Sequence, residues 1–264
     1  MKIDETTSRP VSLYERLEES TTQPFGLQML EKLPPIHGRS LIDIAAGTGG
    51  MAVVAAERGA QVLATDMDPA MVRRTGERLR PFSLCHVDIM DFQALDVSNE
   101  SFEVSLSNFG VLAYSTWRRG LAEMIRVTRS NGWIALTMWT HGEDCSPAHL
   151  MQRTFGSQFP DRELWPSDLF PFFSEKGLEA SVRDAGCFDV KAHVATADWS
   201  PYSSADVVSE CDSMLRSFPG YATLDAHETL TLQKSLHKSF QSYAGRDGII
   251  RLPTKAFILV ARKM

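Results

Sequence analysis

From residue 40 the chain alternates short apolar runs with longer segments whose apolar positions recur at helical spacing. Leu41, Ile42 and Ile44 make the first run, and the spacing predicts a strand over Ser40 to Ala45. A helix follows over Gly49 to Arg58, stopped by Gly59. Strand two is predicted at Gln61 to Thr65. Helix two starts near Pro69, a favoured first-turn position, and runs through Met71, Val72 and Leu79 to Pro81. Strands at Ser83 to Val87 and Phe102 to Ser107 come next. A helix over Thr116 to Thr128 then leads through an Asn131-Gly132 turn into a strand over Trp133 to Trp139. Upstream, Val11 to Glu19 reads as a short amphipathic helix. After Pro24, the residues Phe25, Leu27, Met29, Leu30 and Leu33 make a second helix that ends before Pro34-Pro35. Both precede the first strand and can lie over the ligand edge of the sheet.

The regularity breaks at residue 140. Residues 140–173 carry Gly142, Pro147, Pro160, Pro166 and Pro171 among aromatics and read as an irregular insertion. Ser174 caps a helix to Ala185 that Gly186 ends, and a strand covers Phe188 to Thr196. Two helices, Ser204 to Phe218 and Leu224 to Tyr243, precede a last strand at Ala256 to Ala261. Strands alternating with helices predict an α/β fold: a Rossmann-like, doubly wound, mainly parallel seven-stranded sheet with an antiparallel edge strand. One domain over 1–264 is expected, with a helical cap formed by 1–38, 140–173 and 197–247.

Composition narrows the function classes. With 264 residues, 43% hydrophobic, the chain can bury one large core. The net charge is −6 and no basic run occurs, which argues against a nucleic-acid partner. No apolar stretch approaches the ~18 residues of a membrane span. Residues 1–10 show no signal-peptide pattern, so a cytoplasmic protein without membrane insertion is expected. Cys85, Cys145, Cys187 and Cys211 are scattered and read as core thiols.

The chemistry centres on Gly47-Thr48-Gly49-Gly50-Met51-Ala52, at the junction of the first strand and helix. This G-x-G-x-x-A turn, with Asp66 ending the next strand, suits NAD and S-adenosylmethionine alike, because both present a ribose diol to an acid at that position. Three features favour the second. Asp43 is a carboxylate inside a strand, costly unless it organises the loop above it or holds an ammonium group. Asp88-Ile89 follows strand three, where a carboxylate can accept from an adenine amino group and an apolar neighbour can pack on the ring. The chain also closes with an added hairpin at the sheet edge.

The runs LIDIAAGTGG, VLATDMDPAMV, HVDIMDF, FEVSLSNFGVLAY and MIRVTRSNGWIALTMW, in this order, resemble a class I S-adenosylmethionine-dependent methyltransferase, of the small-molecule group that includes the ubiquinone/menaquinone-biosynthesis type. The resemblance covers roughly residues 38–140 plus the edge hairpin. It implies that Gly47 and Gly49 approach the methionine part of the cofactor, in a loop with Asp43, Ala45 and Thr48. It implies that Asp66 holds the ribose hydroxyls, that Met67 packs on adenine, that Asp88 and Ile89 bind the adenine edge, and that Asn108 or Phe109 lies under the methionine. The family's frequent Lys-Pro-Gly-Gly turn is Arg129-Ser130-Asn131-Gly132 here.

Methyl transfer from a sulfonium is an in-line displacement, so alignment of the nucleophile supplies much of the catalysis, ~7–11 kcal/mol. A general base is needed only where the nucleophile holds its proton at neutral pH. Candidates are His141, first by its position after strand five, Tyr114, Tyr14 and His149. His141, Glu143 and Asp144 read as a solvated acidic loop, and no metal is expected. Phe155, Phe159, Trp165, Phe170, Phe172, Phe173, Trp199, Tyr202 and Phe218 suit a pocket for a small, aromatic or lipophilic acceptor methylated on O, N or C, or else the ordinary packing of the cap on the sheet. Alternatives are a cyclase or isomerase that uses the cofactor as a scaffold, and a non-catalytic cofactor-binding subunit. A homodimer is left open.

Overall fold

The computed structural model describes residues 11–141, 145–167, 169–200 and 204–264, with the side chains of 204–206, 213 and 214 outside that set. The strands are β1 (Ser40–Ile44), β2 (Gln61–Asp66), β3 (His86–Ile89), β4 (Phe102–Asn108), β5 (Thr128–Trp139), β6 (Cys187–Trp199) and β7 (Leu252–Lys263). They form one seven-stranded sheet in the order β3-β2-β1-β4-β5-β7-β6. The first five run parallel, and β7 is antiparallel to β5, from Trp133 opposite Arg262 to Trp139 opposite Ala256. The sheet order reverses between β1 and β4, and the crevice above their carboxyl ends is where an open α/β sheet binds its ligand.

The helices are α1 (Val11–Tyr14), α2 (Ser20–Leu30), α3 (Gly50–Glu57), α4 (Pro69–Leu79), α5 (Trp117–Val127), α6 (Pro147–Gln158), α7 (Glu175–Asp184), α8 (Ser204–Leu215) and α9 (Ala226–Gln241). The described chain divides into two compact units. One comprises residues 22–140, 170–195 and 256–264 and holds the parallel sheet. On one sheet face Ile42, Ile44, Ile134 and Leu136 pack with Leu121 and Met124 of α5 and Leu178 and Val182 of α7. Strand side chains alternate, so Leu41 and Asp43 point to the opposite face. Leu41, Ile42 and Ile44 are all fully buried, as a central strand covered on both faces requires.

The other unit comprises residues 11–21, 141–169 and 196–255. Its core joins Leu150, Met151 and Phe155 of α6 to Cys211 and Leu215 of α8 and Leu232, Leu236 and Phe240 of α9. Asp225 opens α9 with a capping box: its carboxylate accepts from Glu228 N at 2.8 Å, and Glu228 accepts from Asp225 N at 3.0 Å. Asp212 of α8 accepts from the Tyr221 hydroxyl, from Gln233 Nε2 at 3.0 Å and from Arg216 Nε at 2.7 Å.

Four elements depart from the sequence reading. The insertion after residue 140 contains a regular helix, α6. Pro147 reads as a breaker, but it occupies the first turn behind the Ser146 cap, where a missing N–H costs nothing. Pro24 does not divide the N-terminal helices. It lies inside α2, preceded by a π-helical turn over Glu15–Glu19 where Ser20 and Thr21 hydroxyls bond back to the Arg16 and Leu17 carbonyls. Such a turn relaxes the ladder next to a residue without a donor. β3 starts at His86, because Cys85 N closes a turn on Phe82 O at 3.0 Å. The Asn131-Gly132 turn stands inside β5 as a bulge: Thr128 pairs with Phe102 and Trp133 with Val104, leaving four residues against Glu103. Asn131 there takes φ +61°.

The capped start of α6 is directly testable. Replacing Ser146 with Ala removes the hydroxyl that accepts from His149 N and should cost about 1 kcal/mol of stability in urea unfolding; an unchanged midpoint would contradict the cap.

Candidate functional site

The turn between β1 and α3 alternates left-handed residues, Ala45 at φ +56°, Gly47 at +57° and Gly49 at +81°. Such a conformation costs an alanine roughly 1–2 kcal/mol, so the surroundings must hold it. Ala46 N donates to Thr65 O at 2.9 Å, Gly49 N to Ala46 O at 2.9 Å, and Gly47 N to Asp66 Oδ2 at 2.8 Å. From α4, Thr75 Oγ1 donates to Gly47 O at 2.9 Å and Arg78 Nη1 to Thr48 O at 3.0 Å. Thr48 is fully buried, and a Cβ on Gly49 would stand 2.6 Å from Thr75 Cγ2. Asp43, 1% exposed, lies in the strand beneath the turn, opposite Ala64 of β2 and Leu106 of β4.

Asp66 serves two loops. Its Oδ2 holds Gly47 N, and its Oδ1 accepts from Asp68 N at 2.9 Å. Desolvation raises its pKa above the usual carboxylate value, and the backbone donors of Asp68, Gly47 and Met67 pull it back. The helix-capping task falls to Asp68, whose Oδ1 accepts from Ala70 N at 2.7 Å, which leaves Asp66 to the loop. Beside it, Met67 is 47% and Ile89 59% exposed. Ile89 is the register partner of Asp66, and the exposed Asp88 that of Thr65. Two large apolar side chains thus flank a carboxylate on the open edge of the sheet.

On the other side of β1, Phe109 also takes a left-handed conformation, φ +56°. Its N–H donates to Thr137 Oγ1 at 2.9 Å, and that hydroxyl donates to Asn108 Oδ1 at 2.7 Å. Asn108 Nδ2 donates to Thr22 O at 3.3 Å. Both ends of the Asn108 amide are therefore fixed by backbone and hydroxyl partners. Ser107 Oγ donates to Ile44 O at 2.7 Å and accepts from Val111 N at 2.9 Å. Gly110 must lack a side chain, since a Cβ there would meet Ala45 Cβ and Ser107 Oγ at 2.6 Å. The Phe109 and Trp139 rings lie 4.3 Å apart, and Phe25 of α2 stands edge-on to both, at 5.8 and 5.5 Å. Gly26 brings α2 so close to α3 that a Cβ would sit 2.3 Å from Met51 Sδ. The second N-terminal helix thus packs on Phe109 and Trp139, at the carboxyl ends of β4 and β5, and on the start of α3.

The proposed bases fall in different places. His141 and Tyr14 are partly buried in the helical unit, and Tyr114 belongs to the sheet unit. Burial lowers the His141 pKa. His149, also in the helical unit, is pushed down to about 4 by burial and by the charge of His141. Its Nδ1 lies 2.7 Å from Ser146 Oγ. Desolvation and the charge of Asp66 raise the Tyr114 pKa, so its phenol keeps its proton at neutral pH. Of the insertion aromatics, Phe155, Trp165 and Trp199 are core residues of the helical unit, and Phe173 packs on Trp117 in the core of the sheet unit. They spend their apolar surface on packing within those cores, whereas Phe172 is 75% exposed. Glu143, Asp144 and Tyr202 lie outside the described residues.

Sequence reading missed Thr75, Arg78, Ser107, Thr137, Phe25 and Trp139. A hydroxyl or ring that supports a neighbouring element carries no local signature; only the small-polar alternation of Ser105 and Ser107 in β4 hinted at it.

Residues 42–136 match the model of the methyltransferase domain. The chain is 30% identical over 115 residues to the demethylmenaquinone methyltransferase of Renibacterium salmoninarum, covering 43% of this chain and 46% of that one. It spans 59% of the length of related mycobacterial proteins, at 25% identity over 162 residues. The YcgJ protein of Bacillus subtilis has a similar fold, with a TM-score of 0.59 at 15% identity, covering 91% of this chain and 98% of that one. So has the [4+2]-cyclase SpnF, with a TM-score of 0.56 at 20% identity, covering 91% and 80%.

Two outcomes are expected. Gly49→Ala should lower stability by about 2–4 kcal/mol in urea unfolding, from left-handed strain plus the contact with Thr75. His149 has a folded pKa near 4 against about 6.5 unfolded, so the unfolded chain binds the proton more tightly. Stability should therefore rise with pH between about 4 and 6.5 and be lost as pH falls through that window. His149→Gln should flatten that part of the stability profile, and an equal slope in both proteins would refute the burial effect.

Proposed function

We propose that this chain, whose residues 42–136 match a methyltransferase domain, is a class I S-adenosylmethionine-dependent methyltransferase that transfers a methyl group from that cofactor to a small aromatic or lipophilic acceptor. The observation that carries the reading is Asp66. Its oxygens accept from Gly47 N at 2.8 Å and Asp68 N at 2.9 Å, with the backbone of Met67 as a further donor, which fixes the carboxylate as an acceptor for the hydroxyls of a ribose diol. The exposed Met67 and Ile89 beside it suit the faces of a flat base, and the exposed Asp88 can accept from its amino group. Gly47 and Gly49 carry no side chain of their own, which suits a close approach of the methionine end to the turn. Asn108 and Phe109 supply the opposite wall.

The bound cofactor would contribute an activated methyl. The chain's own part is to orient and to exclude water. The hydroxyls of Ser107 and Thr137 and the clamp from Thr75 and Arg78 hold the turn and Asn108 before any ligand arrives, so little reorganisation remains to be made at the moment of reaction. Phe109 and Trp139 offer apolar ring surface at the ends of β4 and β5, which supports an apolar acceptor; likeness to a demethylmenaquinone methyltransferase points the same way. The balance of −6 and the lack of a basic run disfavour a nucleic-acid acceptor. Among the described residues no helix is long and apolar enough to cross a membrane.

The cofactor reading is tested by calorimetry. Asp66→Ala should weaken S-adenosylmethionine binding by about 1.5–3 kcal/mol, the worth of hydrogen bonds to a charged group. Unchanged affinity would remove Asp66 from the ribose site. In a thermal-shift screen S-adenosylmethionine and S-adenosylhomocysteine should raise the melting point and NAD should not. Incubation with methyl-labelled cofactor and candidate quinols, phenols and amines separates transfer from the alternative of a cyclase or isomerase: label in product is expected, and turnover without label would support the alternative.

A further inference from the structure

We infer that Tyr114 is a binding residue for the nucleoside half of the cofactor: its phenol O–H donates to the ribose that Asp66 holds, and its ring covers the groove above the ends of β1 and β2. The inference rests on the cofactor reading above and extends it to the last residue of the run FEVSLSNFGVLAY.

Tyr114 is rigidly mounted. It follows a 3₁₀ turn, Val111–Ala113, whose first N–H is held by Ser107 Oγ and whose last donates to Gly110 O at 3.0 Å. Its own carbonyl accepts from Trp117 N at 3.0 Å, and Trp117 is a core residue. Its ring packs against Phe92, 5.4 Å between centroids and tilted by 34°. Phe92 is itself buried, close against Gly120 of α5. Tyr114 belongs to the connection after β4, and Phe92 to the connection after β3. In the sheet order β3-β2-β1-β4 these two connections lie on either side of β1 and β2. The ring contact therefore bridges the carboxyl ends of the strands that carry the glycine turn and Asp66. Asp66 ends β2, one of the two strands that this contact spans.

Tyr114 nonetheless stays 52% exposed. A large ring fixed at its base, supported on one face and left open elsewhere, is surface that a ligand can cover. The hydrogen-bond count supplies the reason for a phenol. A ribose diol that donates to both oxygens of Asp66 has oxygen lone pairs of its own and needs donors for them. Met67 and Ile89, the flanking side chains, offer none. Tyr114, which keeps its proton, does.

The test is titration calorimetry of the full chain with three probes: S-adenosylmethionine, S-adenosylhomocysteine and 5′-methylthioadenosine. Tyr114→Phe keeps the ring and its packing on Phe92 and should leave the melting point unchanged. It should weaken all three probes by a similar factor, about 3- to 10-fold, the worth of one hydrogen bond. Tyr114→Ala should weaken them further. An effect shared by 5′-methylthioadenosine, which lacks the methionine end, places the contact on the nucleoside. The Asp66→Asn and Tyr114→Phe effects should be non-additive, since both act on one diol. Tyr114→Phe binding of every probe within about twofold of the unmodified chain, while Asp66→Asn weakens them, overturns this inference and leaves the cofactor reading standing. An unmodified chain that binds none of the probes overturns both.

Discussion

The hydrogen bond from Gly47 N to Asp66 Oδ2 ties the turn after β1 to the end of β2, and the candidate site is arranged around it. A carboxylate on the rim of a sheet loses solvent and is destabilised by that loss, unless donors face it. Here backbone N–H groups from Gly47 and Asp68 do so, and the same bonds fix the path of both loops. The desolvation cost and the loop's order are thus one arrangement. The turn can carry three left-handed residues, one of them an alanine, because its carbonyls and amides are held from β2 and from α4.

The opposite wall uses the same principle with hydroxyls. Ser107 links β4 back to β1 through Ile44 O, and Thr137 links β5 to β4 through Asn108 and the Phe109 N–H. These groups lie in strands where apolar residues would pack as well, and Ser107 and Thr137 are each 1% exposed. Buried hydroxyls fully supplied with partners hold one geometry, since any slip of register would strand a polar group in the core. The strain at Ala45 and at Phe109 meets at Gly110, where only a residue without Cβ fits. The crevice between β1 and β4 is therefore closed by contacts among its own walls, and its shape exists before any ligand enters.

The sequence by itself determined the parallel sheet, because each strand there is short, apolar and punctuated by Gly, Pro or a capping acid, all local signals. It also placed Gly47, Gly49, Asp66, Asp88 and Asn108 at strand ends, since topology puts strand ends at the ligand edge whatever the details of packing. Tertiary structure alone decided what those residues do for one another. That Asp66 holds Gly47 depends on β1 and β2 being neighbours; that Thr137 orients Asn108 depends on the register of β4 with β5. Local pattern misjudged Pro147, because whether a proline starts or breaks a helix turns on the preceding residue's cap. It left the aromatics after residue 140 between a pocket and ordinary packing, and the fold buries Phe155, Trp165 and Trp199 in the core of the helical unit. It offered Tyr114 as a candidate base; desolvation, and after it the charge of Asp66, 48 positions away in sequence, raise the pKa of that phenol only once the chain has folded. Hydrophobic periodicity is a property of neighbours along the chain and survives in the sequence; burial and electrostatic partnership are properties of neighbours in space and arise only when the chain has folded.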